Sequence, residues 1–242
     1  MTLVLDKVAL SISGRDLVRN VSLKVESGDV IGLLGPNGAG KTTTFNLIIG
    51  LMKPDSGSIL LDGKSVEGLS MTSRARIGIG YLPQEASIFR KLSVKQNLDM
   101  ALSQSELSPS FRRIRREELV EEFNLGPFLY RPGYQLSGGE RRRSEVARAL
   151  AVGRIGPKYL LLDEPFAGID PLAVSDLQEL IQKLKNKGVG ILITDHNVRE
   201  TLAITDVSYI LSEGKILSFG TSAKLANDSI VRQNYLGDDF RL

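Results

Sequence analysis

The 242-residue chain carries 31 Lys and Arg against 28 Asp and Glu, a formal net charge of +3, and 42% of its residues are hydrophobic. This supplies a core and a polar surface for one large α/β domain or one domain with an insertion, and it falls short of the dense basic character of a nucleic-acid binder. The absence of cysteine excludes a disulfide framework, a thiolate metal site and a Cys nucleophile, and the single histidine, His196, leaves no His-rich metal site.

The first residues meet charge at Asp6 and Lys7, too early for the apolar stretch of a signal peptide. No apolar run approaches the ~18–20 residues needed to span a bilayer, so action on a membrane calls for a separate membrane subunit. Residues 3–12 and 17–25 alternate loosely around a Gly14-Arg15-Asp16 turn and predict strands. Residues 29–34 form a short continuous apolar run, the pattern of a strand buried on both faces. A glycine loop follows, then helical spacing from Lys41 to a stop at Gly50, a turn at 53–57 and a strand at 58–63.

From Ser93 to about Val152 the chain reads as helical, with clustered charges. Strands return at 159–163 and 189–194, with a hairpin predicted over 207–219 around Glu213-Gly214 and helices over 171–187 and 198–204. The organisation is a β-rich start, a parallel α/β core and a helical insertion: 1–84 and 158–242 form the core with a β subdomain, and 85–157 the insert. The arginines at 112, 113, 115 and 116 and at 141–143 are read as solvated helix faces or ion-pair partners of Glu117, Glu118, Glu121 and Glu140, in preference to a nucleic-acid patch.

Three constellations carry chemistry. Gly35-Pro36-Asn37-Gly38-Ala39-Gly40-Lys41-Thr42-Thr43 lies between an apolar strand and a helix, the context of a phosphate-binding loop. Glycines let backbone N–H groups converge on phosphates, and the helix adds its positive end. Lys41 can reach the β- and γ-phosphates and the Thr42 hydroxyl can ligate Mg²⁺. Leu160-Leu-Leu-Asp163-Glu164-Pro165 is an apolar strand ending in two carboxylates, with Asp163 placed for Mg²⁺ and Glu164 to deprotonate the attacking water. His196 ends a further buried strand, at the edge of a parallel sheet where ligands gather, and is assigned to the γ-phosphate or the attacking water.

With these motifs the chain resembles the ATP-binding-cassette (ABC) ATPases over nearly its whole length. The discriminating stretch is Leu136-Ser137-Gly138-Gly139-Glu140, which looks like the ABC signature and opens a helix whose N–H groups can receive a phosphate. The resemblance implies a P-loop NTPase core of ABC type with an N-terminal antiparallel β subdomain and an inserted helical subdomain. It also implies a head-to-tail homodimer with two ATPs held between cradle and signature, and Mg²⁺ as cofactor. Gln84 resembles the glutamine that touches Mg²⁺ and links core to insert, residues 167–170 the loop that crosses the dimer interface, and His196 the switch histidine. One position departs: Ile12 falls where the family stacks an aromatic residue on adenine, which predicts weaker or less base-selective binding.

Residues 81–94, 138–143, 163–168, 194–202 and 235–242 further resemble the subfamily that powers lipopolysaccharide export. Branched-chain amino-acid importer ATPases are the nearest alternative, sharing the core motifs but not, as a rule, this ending. The subfamily resemblance implies a chain on the cytoplasmic face of a Gram-negative inner membrane, beneath LptF-like and LptG-like membrane subunits. Phe89 and Arg90 are candidates for the groove that receives a membrane subunit's coupling helix, the alternative for Phe89 being core packing between lobes. The tail around Phe240 is either a loose end or a folded tail contacting the dimer or its partners. Non-transport ABC proteins of DNA repair or the ribosome are disfavoured by the single cassette and the lack of sustained heptads. A stand-alone P-loop kinase or GTPase is disfavoured by the signature.

Overall fold

A computed structural model describes residues 1–152, 156–237 and 240–242; residues 153–155 of the insert, and Asp238 and Asp239 of the terminal stretch, lie outside it. The N-terminal alternation folds as β1 (Thr2–Ile12) and β2 (Arg15–Glu26), antiparallel and turned through Ser13 and Gly14, both at positive φ. The apolar run becomes β3 (Val30–Leu34), buried at every position, and the glycine loop leads into α1 (Lys41–Ile49). Next come β4 (Ser56–Leu61) and the short β5 (Lys64–Ser65), giving a four-stranded antiparallel sheet of order β2-β1-β4-β5. Leu3, Leu5, Val21, Leu23 and Val25 on this sheet pack with Phe45, Leu47 and Ile48 of α1 in one core cluster. Phe45, Leu47, Ile48 and Ile49 of α1 are buried, while Thr42, Thr43 and Asn46 form its less buried side.

Among the elements the sequence did not reveal are α2 (Met71–Arg76) and β6 (Ile79–Leu82). Arg74 of α2 is 1% exposed, and its guanidinium donates to the carbonyls of Leu47 and Ile48 at 2.7 and 2.8 Å. A buried cation thus closes the carbonyl end of α1, where the helix dipole favours positive charge.

Between β6 and β7 (Tyr159–Asp163) the chain forms α3 (Val94–Ser103), α4 (Pro109–Glu122) and α5 (Gly138–Ala149), joined by loops and short 3₁₀ turns. Leu98, Leu102, Leu119, Phe123 and Val146 from these helices share a cluster with Leu160 and Leu162 of β7, so the insert is welded to the sheet. α6 (Pro171–Asn186) joins the same cluster through Val174, Leu177, Ile181 and Leu184, a helical stripe. β8 (Gly190–Thr194), α7 (Val198–Leu202) and the hairpin β9 (Val207–Ser212) and β10 (Lys215–Gly220) follow. The second sheet has the order β10-β9-β3-β8-β7-β6, parallel throughout except for the β9–β10 hairpin.

Past β10 lie α8 (Ser222–Asn227), the single turn α9 (Ser229–Val231) and a wide π turn over Arg232–Leu236. Tyr235, Leu236 and Phe240 pack on a cluster of Leu34, Leu202, Ile210, Leu225 and Val231, and the Arg199 guanidinium lies 5.7 Å from the Phe240 ring centroid. Phe240 is therefore no loose end: it packs within its own chain. Among the described residues no helix is long and apolar enough to cross a membrane.

Candidate active site

Four parallel strands deliver their carboxyl ends to one edge of the sheet, the position at which open α/β sheets bind ligands. β3 runs into Gly35, β6 into Pro83 and Gln84, β7 ends on Asp163 ahead of Glu164, and β8 is followed by Asp195 and His196. The predicted residues of the core therefore meet in space although Gly35 and His196 are 161 positions apart.

The cradle is shaped by two glycines. At Gly35, φ is +152° and a Cβ would lie 2.0 Å from the Leu211 carbonyl oxygen; at Gly40, φ is +104° and a Cβ would lie 2.5 Å from the Leu17 oxygen. Only glycine admits either contact. The Gly214 N–H bonds the Ala39 carbonyl at 3.0 Å, tying the loop to the β9–β10 turn. Pro36, Asn37 and Gly38 form the exposed rim, and no side chain caps the first turn of α1, where Thr42 and Thr43 sit. Lys41 is 7% exposed, with its ammonium on the carbonyls of Gly35 and Pro36 at 2.7 and 3.0 Å. Burial lowers its pKa, opposed by the nearby Glu164 and Asp163.

The Glu164 carboxylate is held from both sides. Gln84 Nε2 donates to Oε2 at 2.7 Å, and His196 Nε2 lies 2.7 Å from Oε1. Its backbone is in the left-handed region, φ 48°, fixed by its N–H bonding the Thr194 carbonyl at 2.8 Å. Such a conformation in a non-glycine residue is strained and persists where the surroundings enforce it. Asp195 supports the turn by accepting from the Phe166 and Asn197 N–H groups, both at 2.8 Å.

Asp163 is 1% exposed; Tyr81 donates to Oδ2 at 3.4 Å, while Oδ1 is buried without a partner. Burial, and then the charge of Glu164, push its pKa up to about 6. A buried carboxylate oxygen lacking a donor suits a cation or its water. The Asp163 carboxylate therefore fits Mg²⁺.

The signature turn lies apart from this constellation. Ser137 caps α5 through a reciprocal box: the Glu140 N–H donates to Ser137 Oγ at 3.2 Å and the Ser137 N–H to Glu140 Oε2 at 2.9 Å. Gly138 and Gly139 pack so tightly on the 167–170 loop and α6 that added Cβ atoms would lie 3.1 Å from the Gly168 oxygen and 2.8 Å from the Ala173 Cβ.

One sequence expectation is corrected. Arg142 is no solvated helix residue: it is 5% exposed and spends its five N–H donors inside the protein. It donates to the carbonyls of Pro83, Asp163, Glu164 and Pro165 at 2.7–3.1 Å and to Glu145 Oε2 at 3.4 Å. Glu145, also buried, accepts from the N–H groups of Ser87 and Ile88. The pair links the signature helix to both carboxylate-bearing and Gln84-bearing segments. A signal existed: Arg142, Val146 and Ala149 share one helical stripe, at i, i+4 and i+7. Glu140 pairs instead with Arg131, and on α4 the ion pairs are Arg113–Glu117, Arg115–Glu118 and Arg116–Asp99.

The base and coupling candidates sit at the surface. Ile12, at the end of β1, is 42% exposed. Phe89 is 49% exposed with the Arg148 guanidinium 5.3 Å from its ring centroid, so it does not fill the core; the Arg90 carbonyl accepts from the Tyr134 N–H.

A family model described as ABC transporter matches residues 18–167. The chain belongs to the ABC transporter ATP-binding family. It is an ABC-type ATPase with the cassette fold of that family. It is 52% identical over 241 residues to the Lipopolysaccharide export system ATP-binding protein LptB of Haemophilus influenzae, covering 99% of both chains. It is 51% identical over 242 residues to the protein of the same name from Escherichia coli, covering 100% of this chain and 99% of that one. Among solved structures it is similar to the ADP conformation of MJ1267, an ATP-binding cassette of an ABC transporter. That match has a TM-score of 0.87 at 26% identity over 98% of this chain and 100% of the other.

Proposed function

We propose that this cassette is the ATPase of a lipopolysaccharide export transporter, working as a homodimer on the cytoplasmic face of an inner membrane beneath LptF-like and LptG-like subunits. Full-length identity above one half to the LptB proteins of two bacteria carries the cargo assignment. The double clamp on Glu164 carries the chemistry.

In this reading residues 35–43 wrap the phosphates, and Lys41 exchanges its two carbonyl partners for β- and γ-phosphate oxygens. Asp163, Thr42 and Gln84 would hold Mg²⁺, which when bound neutralises phosphate charge. Glu164 accepts the proton of the attacking water, aligned by Gln84 and His196. Ser137, Gly138, Gly139 and Glu140 present the α5 N-terminus to the γ-phosphate of the nucleotide held by the partner subunit, so closure of the dimer completes each site. Arg142 positions Glu164 relative to that helix. Residues 1–84 and 158–242 act as the nucleotide-binding core, and 85–157 as the arm that carries the signature. Phe89 and Arg90 receive the coupling helix.

The test is replacement in vivo. Expressed in a Gram-negative strain depleted of its own lipopolysaccharide export ATPase, the chain should restore growth and co-purify with the two membrane subunits. Arg90→Glu should lose co-purification while keeping ATP binding. Failure of the wild type to associate or rescue would overturn the cargo assignment and leave the ATPase intact.

A further inference from the structure

The first half of α4 has a charge order that its own helix disfavours. Arg112, Arg113, Arg115 and Arg116 precede Glu117, Glu118, Glu121 and Glu122, and no acidic residue lies in the first turn. Cations thus crowd the positive end of the helix dipole and anions the negative end. Among the described residues Arg113 is bonded only to Glu117, a pair in which both side chains are largely exposed and salt-screened. Arg112 pairs with no carboxylate among the described residues: one nitrogen reaches the Ser105 carbonyl at 3.3 Å and Nε is buried without an acceptor.

Among these arginines, Phe111 and Ile114 stand 62% and 50% exposed. Three residues apart, they are neighbours on one side of the helix. Leu119, the one residue of α4 that is fully buried, lies in the second half. The helix is therefore anchored at its acidic end and bare, apolar and basic at its N-terminal end. It shares its subdomain with the coupling candidates: the Phe89 N–H bonds Asn97 of α3 at 2.9 Å, and α3 leads directly into the 104–108 connection to α4.

We infer that the N-terminal end of α4 is a foot on the anionic phospholipid surface. Phe111 and Ile114 enter the headgroup layer, Arg112 and Arg113 engage lipid phosphates, and the glutamate half stands away from the membrane. Charge complementarity selects this occupant: basic residues near an anionic leaflet each strengthen binding several-fold, and exposed apolar side chains flanked by arginine are the composition of interfacial helices. The charge order along the axis sets the helix tip-on rather than flat. This inference rests on the placement beneath a membrane proposed above, and is independent of the cargo.

The experiment is co-sedimentation of the purified full chain with vesicles of phosphatidylethanolamine and phosphatidylglycerol, against vesicles of phosphatidylcholine alone. Expected is binding to the anionic vesicles that falls with added salt. It should drop at least about tenfold in Arg112→Gln/Arg113→Gln and in Phe111→Ser/Ile114→Ser, with thermal stability and ATP binding unchanged. Lys64→Gln/Lys215→Gln, which removes two cations elsewhere, should bind as the wild type does. Equal binding by the α4 variants, or no preference for anionic vesicles, would overturn the inference. So would loss of co-purification with the membrane subunits in the Phe111→Ser/Ile114→Ser variant without loss of vesicle binding, which would assign the face to a protein. Vesicle binding is read apart from ATP hydrolysis and from rescue by the wild-type chain, so the foot and the transport reading fail separately.

Discussion

At the phosphate end of the nucleotide site, Gly35 and Lys41 are buried and the Glu164 carboxylate is gripped by Gln84 on one oxygen and His196 on the other. At the base end, Ile12 closes a short strand turn with 42% of its surface exposed, and residues 1–34 contain no aromatic ring to stack on adenine. In the proposed site, charge recognition is built into fixed dipoles and strained backbone, while base recognition would fall to a small aliphatic side chain. On the proposed reading this difference puts most of the binding energy at the phosphates and little at the base.

The strongest way to break this comparison is at the clamp. Glu164→Gln keeps the amide-sized side chain but removes the proton acceptor, and should cut turnover by about 10²–10⁴ while ATP is still bound and the dimer stays closed. Single-turnover hydrolysis and gel filtration with ATP measure both; undiminished turnover would remove Glu164 as the base. Next comes the buried hub. Arg142→Met leaves four carbonyls without this donor and strands Glu145, a change worth about 3–5 kcal/mol. The melting temperature should fall by roughly 6–20 °C.

A smaller effect sharpens the electrostatics. Because the folded-state pKa of Asp163 is raised to about 6, its ionised form destabilises the nucleotide-free protein above that pH. The cost fades as pH falls from about 6 towards 4 and is absent once both folded and unfolded forms are protonated. Asp163→Asn should therefore be more stable than wild type by on the order of 2 kcal/mol at pH 7.5, with the gap closing below pH 4. A pH-independent gap in denaturant melts would contradict this. The smallest change is at the base: Ile12→Tyr should tighten ATP binding about threefold to tenfold and favour ATP over other nucleoside triphosphates, read by titration calorimetry. Unchanged affinity would show that base contact comes from elsewhere.

The motifs made much of the core legible, because phosphate chemistry demands particular residues at fixed spacing and buried parallel strands write themselves as apolar runs. β6 escaped because four residues including Gly80 are too few to show a period. Arg74 and Arg142 escaped for a different reason. Long cations in charged stretches read as solvent-facing, and only tertiary packing puts the carbonyl end of α1 or the end of β7 within their reach. The strain at Glu164 is likewise invisible in sequence, since φ is imposed by the bond to Thr194 on the neighbouring strand.

Arg142 has a consequence for how such a chain can change over time. Four of its five bonds end on backbone carbonyls, which every amino acid supplies. Substitutions in the segments it grips cannot erase those acceptors, so the loops are free to diverge in side chain without loosening the joint. The fragility is concentrated on the donor and on Glu145, whose carboxylate takes the fifth bond. Lysine, with three donors from a single nitrogen, cannot replace a planar fork that reaches five places at once. The joint tolerates change everywhere but at this buried pair.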